Sequence, residues 1–219
     1  MFLYHLDREQ SLKENSEIKL HPIVPAPESK FLLEFSSGVS QFGMRQMQRY
    51  YSFLDCIQIP SLGEYIKIES LRSAIGEQNQ KIIELTFEMV RRMYFSNLPS
   101  RFTSLFALDS VSDFRRWPEL TYSKQFDIYK IEVPDSTIRF DSNFLRGGLQ
   151  ILTDDSRYNL KYSLDIPIAS MLDLACQYWS KSQTENPRWE YLVPLPVKIL
   201  TKFPWCASED LPVSDKKSN

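Results

Sequence analysis

The strand-like segments in the second half of this chain follow one another with little helix between them, and this spacing limits the available folds. Such segments occur at residues 102–108, 126–133 and 186–200. Parallel strands need a crossover of a dozen or more residues, usually a helix, whereas antiparallel strands can be joined by short loops. The spacing therefore predicts an α+β fold with a split, mostly antiparallel sheet.

The first half of the chain is predicted to be a strand followed by helices. Residues 1–6, "MFLYHL", have the pattern of a first strand. Residues 64–95 place apolar side chains on one face at three- and four-residue spacing: Leu71, Ala74, Ile75, Ile82, Leu85, Met89 and Met93. Ser61 and Glu64 have the capping-box spacing before this segment. We expect a single domain over residues 1–205 with a helical insertion at about 40–97, and a flexible tail at 206–219.

Three further elements are predicted in the second half. "DSVSDFRRW" suits a short helix with Asp109 or Ser110 as its N-cap. Residues 140–152 are expected to form a loop. Residues 165–180 suit an amphipathic helix with Asp165 as its N-cap and an inward stripe of Ile168, Leu172, Ala175 and Trp179.

Composition excludes several kinds of site. The six glycines of the chain form neither a G-x-G-x-x-G nor a P-loop pattern, which argues against a Rossmann or Walker nucleotide site. Two histidines and three separated cysteines do not suit a zinc site. The formal net charge of −2 gives no overall basic field for nucleic acid. "MFLYHLDREQ" does not resemble a signal peptide and no apolar run is long enough to span a membrane, so we expect a cytoplasmic protein.

Polar residues occur at the ends of the predicted strands, where side chains from separate strands can meet. His5 follows Tyr4 in the first strand, and Asp141 follows a later one. Glu190 begins an otherwise apolar run that Pro194 interrupts, which fits an edge or bent strand. A solvated loop end is the plainer interpretation of Glu190.

Four segments resemble the His-class ADP-ribosyltransferases, including the rifampin-modifying ones. "LYHLDREQSLKENSEIKL" is similar to the opening strand and polar loop of that family, and "SLFALDSVSDFRRW" to its next strand and helix. "IYKIEVPDSTIRFDSNFL" resembles the following strand with its acidic loop. "ACQYWSKSQTENPRWEYLVPLPVKIL" resembles a Glu-led strand in an uncharacterised bacterial family of this fold class. Leu6, Asp7 and Phe106 stand where the family commonly has Gly, Thr and Tyr.

The resemblance implies that the chain binds NAD and transfers ADP-ribose. Cleavage between nicotinamide and ribose builds positive charge on the ribose, and a carboxylate facing that charge stabilises the transition state. The resemblance implies that Glu190 is this carboxylate. Asp141 is the alternative, because the rifampin-modifying enzymes use an Asp in a comparable acidic loop.

The resemblance also implies a set of NAD-binding residues: His5, Tyr4, Arg101, Ser104 and Phe106. His5 would hydrogen-bond the ribose or the nicotinamide amide, and Arg101 would pair with the diphosphate. Ser104 and Phe106 would line the nicotinamide pocket. Each has a plainer interpretation, as a core residue or, for Arg101, as a surface arginine.

The expected function is that of a mono-ADP-ribosyltransferase with a macromolecular acceptor, either nucleic acid or protein. Nucleic acid is favoured slightly, because Arg91, Arg92, Arg101, Arg115 and Arg116 are close enough in sequence to suggest a basic rim. The resemblance further implies a toxin or phage-defence effector, with a neutralising antitoxin as partner. The alternative is a non-enzymatic protein that binds a partner through a degenerate transferase fold.

Overall fold

A computed structural model describes residues 1–22, 35, 37–51, 68–117, 126–153, 160–166 and 168–203 of the chain. Within these ranges the chain forms strands and helices in an α+β order. The strands are β1 (Phe2–Asp7), β2 (Glu17–Ile18), β3 (Ser104–Ala107), β4 (Asp127–Glu132), β5 (Ile138–Asp141), β6 (Gly148–Thr153), β7 (Leu160–Ile166), β8 (Trp189–Pro194) and β9 (Val197–Phe203). The helices are α1 (Gln41–Tyr51), α2 (Ile68–Tyr94) and α3 (Ile168–Trp179), and short 3₁₀ helices span Val111–Arg116 and Ser142–Phe144.

The described strands pair antiparallel in three sheets. The largest has the order β1-β4-β9-β2, the second has the order β3-β8-β5, and β6 pairs with β7 alone. Every strand pairing in these sheets is antiparallel. The predicted α+β class and antiparallel pairing are therefore confirmed.

Strand β1 joins the two larger sheets. Beyond its pairing with β4, it forms an isolated antiparallel bridge between Tyr4 and Leu108, just past the end of β3. The two amides and two carbonyls of this pair exchange hydrogen bonds of 2.9 Å in both directions. As a result β1, β3, β8 and β5 lie side by side, and the predicted His, Ser/aromatic and Glu strands are neighbours.

The second sheet separates two apolar cores. Leu105 and Ala107 of β3 and Val193 of β8 lie in a core that also contains Leu3, Ile131 and Ile199 of the first sheet. Leu192 of β8 lies on the opposite face, in a core with residues from α2 and α3: Phe87, Val90, Ala175, Tyr178 and Trp179. Side chains alternate along a strand, so Glu190 lies on the same face as Leu192, beneath the helices.

Helix α2 buries a different face from the one that its apolar spacing suggests. Ile82, Met89 and Met93 of the predicted stripe are 44%, 53% and 65% exposed. The buried face holds Phe87 and Val90 together with four charged side chains: Lys81, Glu84, Glu88 and Arg91. Charged residues can occupy a buried face when they are paired, and the contacts that pair Glu84, Glu88 and Arg91 are described below.

Helix α3 and the segment before it differ from prediction in detail. Asp165 lies in β7, so it is not the N-cap of a helix that begins at Ile168. Leu172 is 44% exposed and Met171 is buried in its place, whereas Ala175 and Trp179 are buried as predicted. The segment 140–152, expected to be a loop, contains the end of β5, a 3₁₀ helix and most of β6.

Strand β8 is the central strand of its sheet, with β3 on one side and β5 on the other. The edge position that the prolines suggested is therefore wrong, and two strands take the place of one bent strand. Pro194 ends β8, a cis peptide bond joins Leu195 to Pro196, and the chain then enters β9 in the other sheet. Each proline thus lies at a strand boundary, where no central ladder amide is lost.

Several predictions fall on residues outside the described ranges. These are the capping box of Ser61 and Glu64, part of the helical segment near residues 52–67, and the flexible tail at 206–219. The helices α1 and α2 lie within the segment predicted to be helical, and its status as an insertion stays a prediction. In the part of the chain that the structure describes, no helix has both the length and the apolar character to cross a membrane.

Candidate functional site

The side chain of Glu190 lies in a buried polar cluster between β8 and the helices. It is 3% exposed at the start of β8. Its Oε1 accepts hydrogen bonds from the Tyr178 hydroxyl, at 2.6 Å, and from Nη1 of Arg101, with which it forms a buried ion pair. Glu190 is thus a held, buried carboxylate and not the solvated end of a loop.

Arg101 is the centre of this cluster. Its Nε and Nη2 donate to the two carboxylate oxygens of Glu84 on α2, at 2.8 and 3.0 Å, and its Nη1 also donates to Tyr178 at 2.8 Å. The fork of two parallel hydrogen bonds is the strongest arrangement for an arginine and a carboxylate. The guanidinium carbon lies 4.7 Å from the centre of the Phe106 ring, within range of a cation–π contact.

Burial and charge act together on these titratable groups. Burial would lower the pKa of Arg101, but the carboxylates of Glu190 and Glu84 hold it well above its usual range. Burial raises the pKa of Glu84, against the opposing effect of Arg101, and the carboxylate of Glu190 raises it further. Burial also raises the pKa of Tyr178 well above its usual range, so the hydroxyl stays protonated and can donate to Glu190.

A second charged cluster lies one turn along α2. Glu88, which is 1% exposed, accepts hydrogen bonds from Arg91 at 2.8 and 3.0 Å, from Arg92 at 2.9 Å and from Ser100 at 2.8 Å. Arg91 also donates to the backbone carbonyls of Ser96 and Leu98. Together with Arg101, these contacts pair all three arginines with carboxylates. Arg91 and Arg101 are buried as well as paired, so they do not contribute to an exposed basic rim.

His5 connects β1 to β3. Its Nδ1 lies 2.8 Å from the backbone carbonyl oxygen of Phe106. Because a carbonyl only accepts, Nδ1 must be the protonated nitrogen and must donate. Burial lowers the pKa of His5, although the hydrogen bond to Phe106 opposes this. The imidazole is therefore neutral near pH 7, and its Nε2 can accept a hydrogen bond.

Ser104 and Gln46 each have a buried polar atom with no hydrogen-bond partner among the described residues. These atoms are Oγ of Ser104, which is fully buried, and Oε1 of Gln46, whose residue is 1% exposed. Ser104 shares the face of β3 with Phe106. Gln46 lies one turn after Phe42, whose ring packs edge-on against Phe106 at 4.9 Å. Buried polar atoms are almost always hydrogen-bonded, so these two atoms are candidates for contact with a polar ligand.

Tyr4 lies away from this cluster. Its ring packs edge-on against Phe203 at 5.4 Å, and its side chain contacts a separate core of Leu108, Phe114, Phe126 and Ile128. Successive side chains of a strand point to opposite faces, so Tyr4 and its neighbour His5 diverge. This position favours the plainer interpretation of Tyr4 as a core residue.

Asp141 has a structural environment. It is fully buried, and its two carboxylate oxygens accept hydrogen bonds from the backbone amides of Asn143, Thr184 and Arg188 and from the Thr184 hydroxyl, at 2.7–3.1 Å. Burial would raise the pKa of Asp141, but these hydrogen bonds outweigh it and lower the pKa. A carboxylate this fully occupied fixes the loop before β8, and this environment favours Glu190 over Asp141 as the catalytic group.

Of the seven residues proposed from the sequence, four form one continuous set of contacts: His5, Phe106, Arg101 and Glu190. Sequence reasoning missed Glu84 and Tyr178, which complete the cluster, and Gln46 on α1. The signal for Glu84 was present, because Glu84 and Glu88 are spaced by four residues and so share one face of a helix. Among the described residues, no group of three or more His, Cys, Asp or Glu side chains is placed to hold a metal ion.

Comparison with known proteins gives a family for the chain. A search of curated proteins found no match. The model of a family described as "Protein of unknown function (DUF2441)" matches residues 3–204, which is nearly the whole chain. The chain therefore belongs to the DUF2441 family.

Proposed function

We propose that the protein is a mono-ADP-ribosyltransferase that cleaves NAD and transfers ADP-ribose to a macromolecular acceptor. One observation supports this most directly. His5, Phe106, Arg101 and Glu190 lie on or beside three neighbouring strands, β1, β3 and β8, and contact one another in that order. These are the three strands whose polar residues the resemblance assigns to NAD.

The proposed reaction breaks the bond between C1′ of the ribose and the pyridinium nitrogen of NAD. The electron pair of that bond leaves with nicotinamide, which becomes neutral, and positive charge develops on the ribose. A nucleophile of the acceptor forms the new bond at C1′ and loses a proton. The role of Glu190 is to stabilise the charge on the ribose, as carboxylates do in glycoside hydrolysis.

The neighbouring residues suit the remaining parts of the substrate. The unprotonated Nε2 of His5 is an acceptor for a ribose hydroxyl. Ser104 Oγ and Gln46 Oε1, both buried and unpartnered among the described residues, suit hydrogen bonds to a carboxamide. Phe106 offers an aromatic face to nicotinamide, although Phe42 and Arg101 already contact it.

Arg101 has a different role in this proposal from the one that the sequence suggested. Its guanidinium is bound by two carboxylates and a hydroxyl, so pairing with a diphosphate would require at least one carboxylate to leave. We assign Arg101 to positioning Glu190. Reaction also requires that Glu190, which α2 and α3 cover, becomes accessible to the ribose, so a movement of these helices is part of the proposal.

The test compares two variants that each remove one carboxylate from Arg101. Glu190→Gln removes the proposed catalytic carboxylate, and Glu84→Gln removes the one on α2. Nicotinamide release from NAD by the purified protein is measured by chromatography. We expect Glu190→Gln to lose at least 100-fold in rate, the range found when one electrostatic group is removed from an active site. Glu84→Gln should retain activity within about tenfold of the wild type.

Thermal melting of both variants controls for damage to the fold. Equal losses of activity in the two variants would show that the cluster acts only through structure. If the wild type releases no nicotinamide, and NAD does not shift its melting temperature, the enzyme proposal is wrong.

The second candidate function is that of a non-enzymatic protein that binds a partner. It is favoured by the exposed apolar face of α2, where Ile82, Met89, Met93 and Tyr94 are 44–67% exposed. Apolar side chains gathered on one helix face often mark an interaction site. The same NAD assay separates the two candidates, because a degenerate transferase fold would release no nicotinamide.

A further inference from the structure

Two arginine–tryptophan stacks involve consecutive residues at the start of β8, Arg188 and Trp189. The guanidinium carbon of Arg188 is 4.0 Å from the ring centre of Trp117, and that of Arg139 is 4.3 Å from the ring centre of Trp189. A hydrogen bond of 2.8 Å from the Tyr191 hydroxyl to Asp109 fixes the segment 109–117 against β8. These contacts bring residues from three separate parts of the chain to one surface.

Further arginines extend this surface. Arg115 and Arg116 precede Trp117 at the end of the 3₁₀ helix, and both are exposed. Arg146, also exposed, lines a cleft of about 590 Å³ together with Arg188. We call this the arginine–tryptophan surface; it comprises Arg115, Arg116, Trp117, Arg139, Arg146, Arg188 and Trp189.

Three arginines of this surface, Arg115, Arg116 and Arg146, are exposed. Within the described ranges, no carboxylate forms an ion pair with Arg115, Arg116 or Arg146. The Asp113 carboxylate accepts a hydrogen bond from the Ser110 hydroxyl, Asp109 accepts one from Tyr191, and Asp141 is fully buried. Glu185 is the acidic residue that lines the cleft. The surface is therefore basic on a protein whose net charge is −2.

The combination of side chains indicates the chemistry of the partner. Arginine binds phosphate through its planar fork of donors. Unstacked bases stack on aromatic rings and on the planes of guanidinium groups, and both are present in each stack. The cleft adds side chains that can hydrogen-bond base edges: Asn143, Thr184 and Asn186. A duplex would offer phosphates to the arginines but would keep its bases away from the tryptophans.

We infer that the arginine–tryptophan surface binds single-stranded nucleic acid. Trp189 directly precedes Glu190, so a single-stranded nucleic acid bound here lies at the same end of β8 as the candidate catalytic carboxylate. The role of this nucleic acid as the ADP-ribose acceptor rests on the proposed function. Its binding to the surface does not depend on that function.

The test measures fluorescence anisotropy of a labelled 12-nucleotide single strand, as RNA and as DNA of mixed sequence, with the full chain. The double variant Arg115→Ala/Arg116→Ala should bind at least tenfold more weakly at 100 mM salt. The slope of log K against log salt should fall by about 1.4, since each phosphate contact on a single strand contributes about 0.7. The double variant Lys13→Ala/Lys19→Ala removes two exposed cations elsewhere and should bind like the wild type.

The tryptophan is tested separately from the charge. Trp117→Leu should weaken binding by roughly tenfold through loss of stacking, and Trp117→Phe should restore most of it. Thermal melting checks that both variants are folded.

Three results would overturn the inference. The first is that the wild type does not bind the single strand at 50 mM salt, and the second is that the lysine control loses as much affinity as the arginine variant. The third is that heparin or duplex binds as tightly as the single strand and that Trp117→Leu has no effect on affinity. The last result would assign the surface to polyanions in general, such as an acidic protein.

Nicotinamide release is measured on the same proteins and should be unchanged in Arg115→Ala/Arg116→Ala. Absence of that release with binding intact would remove the proposed function and leave this inference standing.

Discussion

Two carboxylates of this protein are equally well buried but are held in opposite ways. Asp141 accepts three backbone amides and one hydroxyl from the loops before β8 and after β5. Glu190, on the strand beside it, is held by the side chains of Arg101 and Tyr178. Phe140 pairs with Glu190 and Asp141 with Trp189 in the same two strands, so these environments differ over a single residue step.

The two sets of partners distinguish a carboxylate that holds the fold together from one that can take part in chemistry. Backbone amides cannot leave Asp141 without unfolding the loop, so that carboxylate has one arrangement. Side chains can rotate, so the partners of Glu190 can exchange without a change in the backbone. A carboxylate that must contact a substrate needs side-chain partners that can move away. This requirement favours Glu190 over Asp141 as the candidate catalytic group.

The largest expected effect comes from removing the centre of the Glu190 cluster. Arg101→Met leaves Glu84 and Glu190 buried without a cation, and it should destabilise the fold by about 3–5 kcal/mol. Urea unfolding followed by circular dichroism measures this. The triple variant Arg101→Met/Glu84→Gln/Glu190→Gln should recover most of the loss, because it leaves no unpaired buried charge in this cluster. A loss below about 1 kcal/mol in the single variant would contradict the buried ion pairs.

Asp141→Asn tests the other carboxylate. One oxygen is replaced by an amide that cannot accept from the backbone donors, so we expect a loss of about 3 kcal/mol in the free energy of unfolding. Nicotinamide release, measured where the variant is still folded, should persist. If that activity disappears in the folded variant, the assignment of Asp141 to structure is wrong.

The two sites should also respond to pH in opposite directions. The pKa of Asp141 is lowered in the fold, so its contribution to stability is present above the unfolded value of about 3.9 and is lost as the pH falls through the folded value. The pKa of Glu84 is raised, so its contribution is full below about pH 4.3 and is lost as the pH rises through the folded value. Urea unfolding between pH 3 and 8 should show the first dependence disappear in Asp141→Asn and the second in Glu84→Gln.

The smallest expected effect is that of Tyr178→Phe. The change removes one hydrogen bond to Glu190 and one from Arg101, and it should cost about 1 kcal/mol of stability because the ring stays packed on Phe140. If Tyr178 positions Glu190, nicotinamide release should fall in kcat with little change in KM. A rise in KM alone would show that Tyr178 acts on substrate binding, and it would contradict a role for Tyr178 in positioning Glu190.

The sequence predicted the strands better than the contacts between them. Alternation and turn residues located β1, β3, β4 and β8, and Ser110 was correctly among the predicted caps of the 3₁₀ helix, where its hydroxyl accepts from the Asp113 amide. These features depend on residues near in sequence. The buried face of α2 does not, because it depends on Arg101, seven residues beyond the helix end, and on Glu190, about a hundred residues away.

The candidate site was predicted in some of its members and not in its connections. His5 and Glu190 were identified by their positions at strand ends, and the resemblance implied Arg101 and Phe106. Sequence alone does not show that two carboxylates bind Arg101, because this depends on how α2 packs against β8. Asp141 was ranked as a catalytic alternative because the sequence does not show which carboxylate meets backbone amides.

The bridge between Tyr4 and Leu108 has a mechanical consequence. It is a seam of two backbone hydrogen bonds between sheets that are otherwise held by longer ladders, and the His5–Phe106 hydrogen bond lies beside it. The two sheets also share an apolar core, so opening this seam would expose part of that core. Such opening would carry His5 with β1 and leave Phe106 and Glu190 with the other sheet, so the packing between the two sheets limits the width of the site.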